Sequence, residues 1–179
     1  MPPALDWHTA TNFAALKEAL GATRVMHVAE RGGWNAREAR TDEMEVWLGA
    51  PEDELPASAQ SWAAGDGPWV LGGEDEGLVV HHVPGHSLGS VVLHMDDKVL
   101  FTGDHLAFSQ RAKLLGFGSK HTRDYPAQIE SVRALSGLPF EWVLPGHGRP
   151  YRVSPPTEEN ARLAIEGAAN DMEAGLLDV

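Results

Sequence analysis

The chain of 179 residues contains no cysteine, and this absence excludes several kinds of chemistry. There can be no disulfide framework, no thiolate nucleophile and no cysteine-based zinc site, so histidine and carboxylate side chains are the strong metal ligands available. A cysteine-free composition suits a reducing compartment, and we expect the protein to be cytoplasmic.

Long apolar runs and basic charge are also scarce. No run of about 18 apolar residues, the length that a membrane-spanning helix needs, occurs, and the first residues lack the pattern of an export signal. We therefore expect no membrane partner. With 14 Lys and Arg against 26 Asp and Glu, the formal net charge is −12. Because nucleic-acid binding draws its free energy from many Lys and Arg contacts to phosphates, we expect no nucleic-acid partner.

The hydrophobic pattern that is present predicts an α/β (α+β) fold in one domain spanning residues 1–179. Helices are predicted where a capping residue opens an amphipathic stretch: Phe13 to Leu20 after Asn12, Asp124 to Gly137, and Thr157 to about Ala174. Strands are predicted at Thr23 to Val28, Met44 to Leu48, Leu78 to Val83, Val91 to Met95, Val99 to Thr102 and Trp142 to Leu144. Asp96 and Asp97 indicate a tight hairpin between two of these strands.

Three of the predicted strands end in the same way, with an apolar run followed by a glycine-containing loop that delivers a polar side chain. These side chains are His86, Asp104 and His147. Strand ends bring side chains from distant positions to one point, and glycine lets the backbone approach a ligand closely. Zinc accepts imidazole and carboxylate ligands, and one carboxylate can bridge two cations. The pattern therefore predicts a metal centre at these three residues.

The same three loops resemble a known family. Pro84–Ser90 (PGHSLGS), Phe101–His105 (FTGDH) and Leu144–Gly148 (LPGHG) are similar, in the correct order, to the third, fourth and fifth motifs of the metallo-β-lactamase-fold superfamily. The resemblance covers roughly Val79 to Tyr151 and implies an αββα sandwich, with residues 74–179 as its second half and residues 1–73 as an atypical N-terminal part.

For the site, the resemblance implies that His86 binds a first metal ion, Asp104 bridges two ions and His147 binds the second. A metal-bound hydroxide, oriented by Asp104, would then be the nucleophile. The implied metal is zinc, or iron or manganese, as one or two ions. One ion held by all three residues is the alternative, because two ions would leave each with one or two of these ligands.

The family's His-x-His-x-Asp-His motif is not found in the chain. The nearest candidate is Asp6-Trp7-His8, which makes His8 a further candidate ligand; the competing interpretation is an ordinary exposed residue. The missing motif also predicts a sandwich that is reduced or truncated at its N-terminal side.

Two further features belong to the expected site. His105 follows the bridging aspartate and is predicted to support the ligands from outside the coordination shell. A basic loop in an otherwise acidic chain comes next, and it is interpreted either as a solubilising loop or as a clamp for an anionic part of the substrate, with Lys120 and Arg123 as candidates. Its members are Arg111, Lys113, Lys120, His121 and Arg123.

The resemblance favours a metal-dependent hydrolase of the thioesterase and lactonase type, which cleaves an ester, thioester or lactone in a small-molecule substrate. Two alternatives remain open at this point: a non-catalytic, degenerate binding or scaffold module on the same fold, and a truncated form of a longer hydrolase. Because a half-sandwich leaves an apolar sheet face to be covered, we also expect a homodimer.

Overall fold

The computed structural model describes residues 13–31, 44–49, 61–63, 65–72, 77–108, 113–116 and 122–176. Its backbone groups into two units, Met1–Asp66 and Gly67–Val179. The division lies close to the boundary at residue 73 that the motifs indicate, while the single domain over the whole chain stays a prediction. In the described part of the chain, no helix is both long enough and apolar enough to cross a membrane.

The first unit contains a short parallel sheet. Its elements are α1 (Phe13–Leu20), β1 (Val25–His27), a 3₁₀ turn (Val28–Glu30), β2 (Val46–Leu48) and β3 (Ser61–Ala63), with the strands in the order β1-β2-β3. Trp47 and Leu48 are buried, as expected for a central strand. The buried carboxylate of Glu45 accepts hydrogen bonds from the Lys17 ammonium and from the backbone N–H of Arg24. A buried charge is tolerated here because it is paired.

The second unit is built on a six-stranded sheet. Its strands are β4 (Trp69–Leu71), β5 (Leu78–His82), β6 (Val91–Met95), β7 (Val99–Gly103), β10 (Trp142–Pro145) and β11 (Tyr151–Arg152), in the order β11-β10-β7-β6-β5-β4. β8 (Leu106–Phe108) and β9 (Leu114–Gly116) pair separately as an antiparallel hairpin. β10 runs parallel to β7, and the other neighbouring strands are antiparallel.

The second unit also contains two helices, one between β9 and β10 and one after β11, and each starts directly after its predicted cap. α2 (Tyr125–Ala134) is capped by Asp124, whose carboxylate accepts from the N–H of Ala127 at 3.1 Å, and a 3₁₀ turn (Leu135–Gly137) ends it. α3 (Glu158–Glu173) is capped by Thr157, whose hydroxyl accepts from the N–H of Asn160 at 3.2 Å. Each cap satisfies a backbone donor that the first helical turn leaves unpaired.

The core of this unit lies between the sheet and both helices. Val92, Leu100 and Val143 come from the central strands, and they pack in one cluster with side chains of α2 and α3 such as Val132 and Ile165. Full burial of one such side chain stabilises the fold by roughly 1.5–3 kcal/mol. Through this packing, α2 lies next to the loops that follow the strands of the sheet.

The tight hairpin at Asp96 and Asp97 is confirmed. Both residues have φ of 54°, and the N–H of Lys98 donates to the carbonyl of Met95 at 2.9 Å. Positive φ at both central residues belongs to a type I′ turn, and aspartate tolerates this conformation better than most residues because its short side chain can hydrogen-bond locally. The α/β fold is confirmed by these elements, whereas β3, β4, β8, β9 and β11 are found only in the structure.

Candidate metal centre

The topology brings three predicted ligand loops to one edge of the six-stranded sheet. β5 is antiparallel to β6, and β6 is antiparallel to β7, so β5 and β7 run in the same direction; β10 is parallel to β7. The carboxyl ends of all three strands therefore meet at the same edge. His86, Asp104 and His147 follow these three strands, within four residues of each strand's last residue.

The three side chains contact one another through the carboxylate of Asp104. Nε2 of His86 lies 3.6 Å from Oδ2, and Nε2 of His147 lies 3.3 Å from Oδ1. The two imidazoles thus face different oxygens of one carboxylate. The side chains are 28%, 21% and 50% exposed for His86, Asp104 and His147, so the cluster opens to solvent.

These distances allow a test of whether the residues fit a metal. Two ligand atoms that each lie about 2.05 Å from a tetrahedral ion are about 3.3 Å apart. Each imidazole–carboxylate pair has close to this separation, so an ion fits between the two members of each pair with little rearrangement. Within the described ranges, no group of three or more His, Asp or Glu side chains is arranged so that it could hold a metal ion. The three side chains instead form two imidazole–carboxylate pairs that share Asp104.

Glycine makes the close approach of two of these loops feasible. The N–H of Gly146 donates to the carbonyl of Gly103 at 2.8 Å, which ties the His147 loop to the Asp104 loop. A Cβ at residue 146 would lie 2.6 Å from Oδ1 of Asp104. Any side chain there would displace the carboxylate, which explains the need for glycine directly before His147.

The loop that carries His86 is braced from within and by α2. The hydroxyl of Ser90 accepts from the N–H of Ser87 at 3.0 Å and lies 2.8 Å from the Ser87 hydroxyl, which closes a short turn. At the start of α2, the N–H of Asp124 donates to Gly85 O at 2.9 Å, and the N–H of Arg123 donates to His86 O at 3.2 Å. The backbone that presents His86 is therefore held on both sides.

His105 lies beside this cluster with its ring almost fully buried, at 1% exposure. Burial, together with a smaller effect of the neighbouring His86 ring, lowers the pKa of His105 to about 4. The ring is therefore neutral at pH 7. Neither ring nitrogen has a hydrogen-bond partner among the described residues. A supporting role for His105 outside the coordination shell remains a prediction.

The other predicted site residues divide into two groups. Arg123 is exposed, and its backbone N–H donates to the carbonyl oxygen of His86 at 3.2 Å. Lys120 and His8 lie outside the described residues. His94, which is not a predicted site residue, is buried with Nε2 2.8 Å from the carbonyl oxygen of Pro139.

One residue near the candidate metal ligands was not predicted from the sequence. Gln128 is fully buried in α2, although the sequence analysis did not identify it as a site residue. The signal was present, since Gln128 lies three and four residues from Tyr125 and Val132 on one helical face. A polar side chain on a buried stripe indicates specific hydrogen-bond partners.

Comparison with known proteins extends these findings. A family model described as the metallo-beta-lactamase superfamily matches residues 10–147. Acyl-coenzyme A thioesterase MBLAC2 from Homo sapiens is 34% identical over 118 residues, which are 64% of this chain and 36% of that protein. A hydroxyacylglutathione hydrolase from Cereibacter sphaeroides is 36% identical over 100 residues, which are 55% of this chain and 34% of that protein. The chain thus spans about a third of these relatives, 36% and 34% of their lengths.

Solved structures show the same fold. An archaeal metallo-beta-lactamase superfamily protein from Sulfolobus tokodaii superimposes with a TM-score of 0.53 at 16% identity, over 87% of this chain and 61% of that one. A metallo-beta-lactamase family protein from Thermus thermophilus superimposes with a TM-score of 0.50 at 21% identity, over 90% of this chain and 58% of that one. Each superposition covers most of this chain but only about three fifths of the solved one.

Proposed function

Because the chain belongs to the metallo-β-lactamase superfamily, we propose that it is a metal-dependent hydrolase with His86, Asp104 and His147 as its metal ligands. The observation that carries the proposal is the placement of two imidazoles on the two oxygens of the Asp104 carboxylate, at 3.6 and 3.3 Å. A carboxylate shared in this way is the arrangement that a bridging ligand requires.

Each residue has a defined part in this proposal. Asp104 would hold the metal through its carboxylate, and His86 and His147 would each hold it through an imidazole nitrogen. Bound zinc, iron or manganese ions would supply Lewis-acid chemistry, polarising a substrate carbonyl and making a water molecule acidic enough to react near neutral pH. The 50% exposure of His147 leaves a side of the centre accessible to a substrate.

We propose an ester, thioester or lactone as the bond that is cleaved, with a thioester as the first substrate to test. Support comes from the printed names of two relatives, an acyl-coenzyme A thioesterase and a hydroxyacylglutathione hydrolase. We also propose that Arg123 contacts an anionic part of such a substrate; support comes from its exposure and from its backbone N–H, which donates to the carbonyl oxygen of His86.

A second function is favoured by one specific observation. The chain lacks the His-x-His-x-Asp-His motif, so each of two ions would have one imidazole and one carboxylate oxygen from the three ligands, fewer than the three protein ligands usual for catalytic zinc. A binding or scaffold module that retains the fold and no longer turns over substrate is therefore the competing proposal.

Metal content separates the two proposals. Elemental analysis of the purified protein should show near-stoichiometric zinc, iron or manganese, and Asp104→Asn should lose it, because the amide offers a single neutral oxygen to the ions. Asp97→Asn is the matched control, since this aspartate lies in the hairpin turn and its side chain is 80% exposed. Metal-free wild-type protein that stays folded, with no thioester hydrolysis after metal is added, would favour the binding module.

A further inference from the structure

Gln128 is a buried amide that contacts two of the three ligand loops from α2. It is 0% exposed, although glutamine is seldom fully buried. Burying an amide without partners costs free energy, so its hydrogen bonds show which parts of the molecule it holds.

On one side, Gln128 holds the loop that carries Asp104. Its Nε2 donates to the carbonyl oxygen of His105 at 3.2 Å, and its Oε1 accepts from the hydroxyl of Thr122 at 2.6 Å. The carbonyl of His105 can only accept, so the NH₂ group of the amide must face it, and this determines the amide orientation. Replacement by an apolar or acidic side chain would remove this donor.

On the other side, the backbone of the same residue supports the loop that carries His86. A Cβ at residue 85 would lie 2.3 Å from Cβ, 2.4 Å from Cα and 2.6 Å from N of Gln128, so Gly85 sits directly on this turn of α2. The N–H of Asp124, one turn earlier, donates to the carbonyl of Gly85 at 2.9 Å. One helical turn thus touches the residue before His86 and the residue after Asp104.

We propose that Gln128 is a positioning residue that sets the separation between His86 and Asp104. The inference rests on the proposed metal centre for its functional meaning. The side-chain amide connects the Asp104 loop by a hydrogen bond to the turn of α2 on which Gly85 packs. Without the amide, the hydrogen bond from α2 to the Asp104 loop is lost while the hydrogen bonds to the His86 loop remain. The 3.6 Å separation between His86 and Asp104 is then held less tightly.

Gln128→Met is the test variant, because methionine has a similar length and flexibility but no hydrogen-bond donor. Thr122→Val is a milder second variant that removes the partner of Oε1 and leaves the interior filled. Val132→Ala is the matched control, since this fully buried residue one turn further along α2 contributes to the core and has no polar contact with the loops. It lowers stability without touching the proposed connection.

The first measurement is amide hydrogen exchange of the metal-free protein. In Gln128→Met the amide of His105 should exchange about tenfold faster relative to amides of β6 and β7, the order expected for one lost buried hydrogen bond. Thr122→Val should show a smaller change of the same kind. In Val132→Ala the His105 amide and the sheet amides should change together. An equal change at all sites in Gln128→Met would overturn the proposal.

The second measurement is metal affinity, by competition with a chromophoric chelator, together with the d–d absorption spectrum of the cobalt(II) form. Gln128→Met should bind about tenfold to a hundredfold more weakly, with an altered spectrum, while Val132→Ala should keep the wild-type spectrum. Equal affinities and spectra in all three proteins would overturn the positioning role. If the wild type takes up no metal, the proposed function fails, and the exchange experiment alone decides whether Gln128 holds the loops.

Discussion

Replacement of Gly85 by alanine should destabilise the protein far more than an ordinary loop substitution. Gly85 has φ of +146°, a region that L-residues with a side chain rarely adopt. The added methyl group would lie 2.3–2.6 Å from three atoms of Gln128, all of them backbone atoms or the first side-chain carbon. None of these atoms can rotate away, so either the loop or α2 must move.

The size of the effect follows from two costs. A residue held in a sparsely populated backbone conformation costs of order 1–3 kcal/mol, and an overpacked methyl group costs about 1–3 kcal/mol. We therefore expect Gly85→Ala to lower the free energy of unfolding by about 2–6 kcal/mol. Against a typical total of roughly 5–15 kcal/mol, this is a substantial fraction.

Gly167→Ala provides a control that should change the free energy of unfolding in the opposite direction. Gly167 is exposed in the interior of α3, and a Cβ at this position meets nothing within 4 Å. Alanine there should stabilise by about 1 kcal/mol through its higher helix propensity. Urea unfolding of the metal-free proteins, followed by circular dichroism, measures both changes. If Gly85→Ala unfolds within about 0.5 kcal/mol of the wild type, or is stabilised as Gly167→Ala is, the close packing of the loop on α2 is wrong.

Three further predictions concern pH, substrate charge and assembly. The pKa of His105 is about 4 in the folded protein and 6.5 for a free histidine, so the unfolded state binds more protons between these pH values. The free energy of unfolding should therefore fall by about 3 kcal/mol as the pH drops from 6.5 to 4. Urea titrations of metal-free protein should show this slope reduced in His105→Leu; an unchanged slope would assign it to other groups. Alanine at Lys120 and Arg123 should raise the apparent KM for anionic thioesters and leave the KM for neutral esters unchanged. If the variant has the wild-type KM for anionic thioesters, these two residues do not bind the anionic part of the substrate. Light scattering over a roughly hundredfold concentration range should show a homodimer, and a constant monomer mass would contradict this prediction. A candidate contact is β4, the last strand in the order of the six-stranded sheet, where Val70 is 64% exposed.

The sequence predicted the elements whose cause is local. α1 has the predicted bounds, Asp124 and Thr157 cap the predicted helices, and Asp96 and Asp97 form the predicted turn. Caps and turns depend on side chains within a few residues of one another, so short-range pattern is sufficient to find them. The strands β5, β6, β7 and β10 were found because each has four or five residues with a clear apolar pattern.

β1 and β2 have three residues each, but they were predicted within the longer runs Thr23 to Val28 and Met44 to Leu48. Five other strands could not be found in this way. β3, β4, β8, β9 and β11 have two or three residues each, too few to establish a period of two, and they exist because a neighbouring strand offers hydrogen-bond partners. Their identity as strands is a property of the pairing and therefore of the tertiary structure.

For the site, the sequence by itself determined which side chains are available: two histidines and an aspartate, each delivered by a glycine-containing loop at the end of a strand. Only the tertiary structure decided that the two imidazoles face different oxygens of Asp104, and that Gln128 lies where it contacts both the His86 and the Asp104 loops. The physical reason is that these relations join residues up to 61 positions apart, counting from His86 to His147. Strand order, strand direction and helix packing set those distances, and no local pattern encodes them.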